Sequence, residues 1–166
     1  MRTLRFARSA TLAGVFWLSP LVYSQEGVVP LRNLTIETAT FIAQGALQEC
    51  RAKGFHTAVA VVDRNGQLLV VMRDEQAVPQ TTEMARRKAY TATLFRITTL
   101  EFAKRTQAET ARAPQRDVAD VLALGGGAPV VSRGEILGGI ASSGSSPEQD
   151  DACAQAGLTK AANLLK

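Results

Sequence analysis

The chain has 166 residues, 46% of them hydrophobic and 5% aromatic, with 19 basic and 15 acidic side chains. The basic excess lies at the start: losing Arg2, Arg5 and Arg8 leaves 16 basic side chains against 15 acids, so the charge is no argument for a nucleic-acid or anionic-membrane partner. Beyond residue 24 the aromatics are Phe41, Phe55, Tyr90, Phe95 and Phe102, too few and too scattered to predict a base-stacking surface.

In chain order, MRTLRFAR carries three arginines and no acid, and the apolar run ATLAGVFWLSPLV follows. Val22-Tyr23-Ser24 then offers small residues at the two positions a signal peptidase reads. This three-part pattern predicts a secretory leader over residues 1–24 and a periplasmic or extracellular product. Removing 24 residues leaves 142, one domain's worth of chain. No later stretch is long and apolar enough to span a bilayer. In an oxidising compartment, Cys50 and Cys153 predict one bridge, whose reach depends on the fold.

Residues 25–33 have no helical pattern and read as a flexible lead-in to a single domain over 34–166. Thr35 is an N-cap candidate, and Ile36, Ala39, Ala43, Ala46, Leu47 and Cys50 recur at helical spacing up to about Lys53, where Gly54 closes the helix. Two β-branched runs, about 57–62 and 67–72, flank Asp63-Arg64-Asn65-Gly66, a strong hairpin signal. Both runs are nearly all apolar, which predicts that both faces of the sheet are covered. A helix starts at Thr81 or Thr82, with Met84, Lys88, Thr91 and Phe95 along one face and Ala85, Ala89 and Ala92 beside them. A second helical piece covers TTLEFAKRT. Residues 106–116 read as the mobile segment, followed by a short helix over Asp117–Leu124. A second hairpin turns at Ser132-Arg133-Gly134-Glu135, and its returning strand carries Gly138 and Gly139, which let another backbone or a ligand come close. Ser146, Pro147 and Gln149 form a capping-box start for a last helix running to Leu165, with Gly157 as its weak point. Glu148, Asp150 and Asp151 complement its dipole. Helix, hairpin, helices, hairpin, helix predicts an α/β (α+β) fold with an antiparallel sheet covered on both faces.

The chemistry legible at this level is limited. Gly125-Gly126-Gly127 is no phosphate-binding loop, because a strand and not a Gly-Lys-Ser/Thr helix start follows. It serves either a turn needing positive φ or a surface that a ligand approaches. Ser142, Ser143, Ser145 and Ser146 precede a helix N-terminus, where they cap the helix or receive an anion. His56 is the sole histidine, and without a nucleophile-elbow sequence a hydrolytic triad is not expected. A zinc cluster is not visible either. One axial bond to a haem iron needs less, and His56, Met72, Met84 and Tyr90 are chemically able to supply it. Lys88 lies near the buried side of an alanine-rich helix, where it pairs with the acid of a ligand, lowers its own pKa for catalysis, or snorkels to solvent. Arg73, beside Asp74 and Glu75, is expected in a local ion pair.

The stretches VAVVDRNGQLLVVMR, ARRKAYTA and GGGAPVVSRGEILGGIASSGSSPEQDDACAQAGL together resemble the GlcG/HbpS family of haem-binding-type proteins (DUF336), related to the C-terminal domain of PduO. The resemblance runs from about Thr35 to Leu165. It implies a profilin-like α/β/α sandwich with a four- to five-stranded antiparallel sheet, assembled as a homo-oligomer. In that fold the N- and C-terminal helices lie together, which implies a Cys50–Cys153 disulfide. It also implies a ligand-binding set at Arg73, Lys88, Thr91, Gly126, Gly127 and Ser143; haem ligation differs among members, so His56 and Met84 stay candidate axial ligands on their own chemistry alone. Asp74-Glu75-Gln76 departs from the family's small glycine-containing loop, and Ala-Ser-Ser-Gly replaces Gly-Val-Ser-Gly.

The expectation is an exported oligomeric binding protein for haem or a related tetrapyrrole, in scavenging or redox sensing. The alternatives are a cofactor-free enzyme acting on a carbonyl or hydroxy acid through Lys88, and an accessory protein of an exported oxidoreductase.

Overall fold

The computed structural model describes Gly27 and residues 29–166, so the leader expected over 1–24 lies outside the described residues. Residues from Leu31 onward form one compact unit. Helix α1 (Ile36–Ala52) is followed by strands β1 (Ala58–Asp63) and β2 (Leu68–Arg73), helices α2 (Thr81–Phe95) and α3 (Thr99–Arg105), strands β3 (Gly127–Ser132) and β4 (Glu135–Ser143), and helix α4 (Pro147–Lys160). The strands form one antiparallel sheet in the order β2-β1-β4-β3. Four strands are present, at the lower end of the expected range.

β1 is central and its two faces are dressed differently. Val59 and Val61 point into the main core with Ile42, Ala43 and Ala46 of α1, Ile140 of β4 and Ala154 of α4. Ala58 and Ala60 meet Ala85 of α2, and Val62 meets Ala89 and Ala141 on the same side. A three-layer α/β/α sandwich results, with α1 and α4 on one face of the sheet and α2 on the other. The alanines have a geometric reason: a Cβ on Gly139 would sit 2.4 Å from the Ala89 carbonyl oxygen, and one on Gly127 would sit 2.6 Å from that of Lys88. Helix α2 rests almost backbone to backbone on the sheet.

Several expectations need correcting. β2 is an edge strand with Leu68 and Val71 exposed, so of the two strands in this hairpin only β1 is covered on both faces. Strands β1 and β2 each begin one residue later than the apolar runs indicate. No helix spans 117–124; a 3-10 turn forms earlier, over Ala113–Asp117, with Pro114 in its first turn. Helix α4 stops at Lys160 and the chain goes on in turns. Gly157 is a packing position, since a Cβ there would lie 2.5 Å from the Ile42 carbonyl oxygen of α1. The lead-in is tied down at its end: Arg32 Nη2 donates to Ser132 Oγ at 2.8 Å, and the Arg32 carbonyl accepts from Arg64.

The caps follow the sequence. Thr35 and Ser146 accept from Thr38 N and Gln149 N, respectively. The two-residue turn Arg133-Gly134 has φ of 50° and 81°, the mirror-image turn suited to a twisted hairpin. Cys50 and Cys153 form a disulfide that ties α1 to α4 across 103 residues, with a Cα–Cα distance of 5.5 Å. Closing so long a loop restricts the unfolded chain heavily. The Cys50→Ala, Cys153→Ala double variant is expected to lose ~2–5 kcal/mol of stability, read from denaturant melts; an unchanged midpoint would show that the bridge adds nothing.

Candidate functional site

Strand pairing gathers the expected ligand-binding residues at one end of the sheet. Ala58, at the start of β1, pairs with Arg73 on one side and Ser143 on the other. Gly127 pairs with Ala141 two residues before Ser143. Lys88 projects from α2 into this corner and is 1% exposed. Its ammonium donates to Asp150 Oδ2 at 2.9 Å and to the Ser142 carbonyl at 3.1 Å. Gly126 makes the room: a Cβ there would lie 2.6 Å from the Ser142 oxygen and 2.9 Å from Lys88 Nζ.

Asp150 is the partner that the sequence did not reveal. Expected to complement the dipole at the α4 N-terminus, it is 1% exposed and turned back onto the loop before α4. Its Oδ1 accepts from Ser145 N at 3.1 Å and Ser145 Oγ at 2.8 Å, and its Oδ2 from Gly144 N at 3.3 Å as well as from Lys88. The serine-glycine loop does receive an anion, and that anion is the protein's own carboxylate. Burial pushes the Lys88 pKa down, and the attraction and hydrogen bond of Asp150 oppose that shift. Lys88 is neither a snorkelling lysine nor open to a substrate. Thr91, one turn on, donates to the Arg87 carbonyl and accepts from Leu122 N at 2.9 Å, fastening the loop ahead of the glycines. Thr91 and Ser143 are both buried.

A second cluster at the same end faces outward. Asp74 follows Arg73, and its backbone N–H donates to the Thr57 carbonyl. Its carboxylate is 2% exposed and takes Arg51 Nε on one oxygen and His56 Nδ1, at 3.0 Å, on the other. The backbone N–H of Gln76 also donates to it and, with Arg51 and His56, holds the Asp74 pKa down at about 2. The ion pair expected for Arg73 does not form, because Arg51 occupies Asp74 and Glu75; the Arg73 guanidinium donates to the Ala77 carbonyl instead. His56 keeps 44% of its side chain exposed. With Nδ1–H spent on a fixed carboxylate, Nε2 is the nitrogen left to accept. Met72 and Met84 are half-buried on β2 and α2. Tyr90 lies toward the other end of the sheet, its ring against Gly66. Among the described residues no group of three or more His, Cys, Asp or Glu side chains is arranged to hold a metal ion.

The site thus combines a buried lysine-aspartate corner with an outward, carboxylate-held histidine at one end of an antiparallel four-stranded sheet. The chain belongs to the HbpS-like family, described as haem degrading protein HbpS-like, whose model matches residues 34–159. A double mutant of HbpS from Streptomyces reticuli is 38% identical, with a TM-score of 0.76 over 85% of this chain and 95% of that one. The PduOC:haem complex is 26% identical, with a TM-score of 0.72 over 78% and 95%. An uncharacterised 15.0 kDa protein from the dhaT-dhaS intergenic region of Citrobacter freundii is 27% identical over 130 residues, 77% of this chain and 92% of its own.

Sequence reasoning reached Lys88, the glycines and the serines but missed Asp150, Asp74 and Arg51 as partners. The one available signal was the three acids in SSPEQDD, more negative charge than a helix cap requires.

Removing one member of a buried ion pair strands the other. Lys88→Met is expected to cost ~3–5 kcal/mol, and with Asp150→Asn the double variant should lose less than the sum of the singles by ~1 kcal/mol or more. Additive losses in denaturant melts would show that the pair is uncoupled. Asp74 has a lower pKa folded than its ordinary 3.8, so its contribution is complete above that value and fades as pH falls toward 2. Asp74→Asn should flatten that part of the acid-unfolding curve; an unaltered curve would contradict the assignment.

Proposed function

We propose that this chain is an exported, oligomeric binding protein for haem or a related tetrapyrrole. The observation that carries the reading is His56: a half-exposed imidazole whose Nδ1 is held by a buried carboxylate, within a family whose solved members include a haem complex. A metal-ligating histidine ordinarily donates its second ring N–H to a carboxylate, which sets the tautomer and raises the basicity of the free nitrogen. These residues fit the group. His56 would supply the axial nitrogen and Arg73 positive charge for a propionate, with the bound haem supplying an iron centre for storage or redox chemistry. Asp74 and Arg51 do not touch the ligand; they orient the imidazole. Met84 is the weaker axial candidate because no second group orients it. Export is supported by the arginine-rich, apolar leader pattern.

Nothing in the geometry favours the enzyme alternative, since the Lys88 ammonium is already paired and enclosed. Titrating the protein with haem, against albumin as a nonspecific control, is expected to give a saturable Soret shift. His56→Ala should abolish or displace that shift, and Asp74→Asn should weaken affinity by about 10–100-fold. An unsaturable shift, indifferent to both changes, would sink the reading.

A further inference from the structure

The opposite end of the sheet, where both hairpins turn, carries a cleft of about 280 Å³. Arg64 and Asn65 of the β1–β2 turn, Tyr90 and Thr93 of α2, Arg96 just beyond α2, and Ile136 at the start of β4 line it. No carboxylate is in the lining. Arg64 and Arg96 have no ion-pair partner among the described residues, unlike Arg51, Arg86 and Arg105, which lie against acids, and like the remaining described arginines, which do not. Arg64 Nη1 donates to the Arg32 carbonyl at 2.6 Å, which tethers the guanidinium and leaves its other N–H groups unspent. The Tyr90 ring forms a wall because Gly66 has no side chain; a Cβ there would lie 2.5 Å from the ring.

Arg96 adds an independent observation. It ends α2 with φ 59° and ψ 30°, the left-handed region. Glycine takes that conformation at a helix end without strain and arginine does not. An arginine kept there, aimed into a cleft without a counter-charge, points to a use for its side chain.

We propose that this cleft binds the carboxylate of a small organic acid, with Arg64 and Arg96 on the anion and Tyr90, Leu94 and Ile136 against its body. Guanidinium forks match a planar carboxylate, and the apolar wall selects an organic ion over a bare one. The volume lies at the lower edge of small-molecule sites, about 300–1,000 Å³, which suits a benzoate-sized acid or a single propionate arm and not a whole tetrapyrrole. The proposal is independent of the haem reading, which stands on the other end of the sheet.

Without the proposed leader the protein has one tyrosine, Tyr90, so incorporating 3-fluorotyrosine gives one fluorine resonance, which Tyr90→Phe removes. Benzoate is expected to move the Tyr90 resonance saturably. Arg96→Gly should weaken that binding by roughly tenfold or more while melting no lower than the parent, because glycine relieves the backbone. Zinc protoporphyrin and its dimethyl ester separate the two sources of carboxylate. Displacement of benzoate by the free acid but not the ester identifies a propionate arm; displacement by neither identifies a free organic acid. Both support carboxylate binding. No saturable response to benzoate, equal affinity in Arg96→Gly, or a response to inorganic phosphate alone would overturn the proposal.

Discussion

The contact between Lys88 and Asp150 joins three parts of the fold. Lys88 comes from the helix covering one face of the sheet, Asp150 from the first turn of the helix on the other, and the Ser142 carbonyl from the strand between them. Charges this enclosed are tolerated only when each is fully hydrogen-bonded. Asp150 meets that demand by accepting from the backbone of Gly144 and Ser145, which sets the path of the loop before α4. Gly126 and Gly144 are consequences of the same contact: the first leaves space for the ammonium, and the second lets the loop pass the His56 carbonyl, 2.5 Å from where its Cβ would be.

With that corner closed, chemistry at this end of the sheet is left to groups on its rim. Asp74 plays on the rim the part that Asp150 plays inside, a fixed carboxylate that organises cations. The difference is solvent: Lys88 is sealed, whereas His56 and Arg51 remain partly exposed. A buried pair gives rigidity, and an exposed imidazole held by a carboxylate keeps its second ring nitrogen free to accept. The departure at Asp74-Glu75-Gln76 from the family's small loop therefore has a physical content, because it supplies the carboxylate that holds His56.

The two ends of the sheet differ in charge balance. At the strand ends near His56, Arg51 and Lys88 each lie against a carboxylate. At the hairpin turns Arg64 and Arg96 border a cleft with no acid in it. The same antiparallel scaffold thus presents a closed, neutralised corner and an open, positive one, separated by the length of β1.

Local signals determined much of this protein. The N-caps at Thr35 and Ser146, the Asn-Gly and Arg-Gly turns, and the alanine face of α2 depend on residues a few positions apart, and each emerges as written. The resemblance, not the spacing, implied that α1 and α4 lie together and that Cys50 meets Cys153. Tertiary structure alone decided the rest. Lys88 finds Asp150 across 62 residues, and Arg51 takes the carboxylate that Arg73 was nearer to in sequence. Gly157 turns from a helix weakness into a contact surface because Ile42 comes to lie against it. β2 is half-exposed because its apolar residues fell on an edge, a matter of strand order and not of strand composition. Composition records which groups are available to pair; which of them do so is set by the approach of elements far apart in the chain, and a single sequence carries no local trace of that.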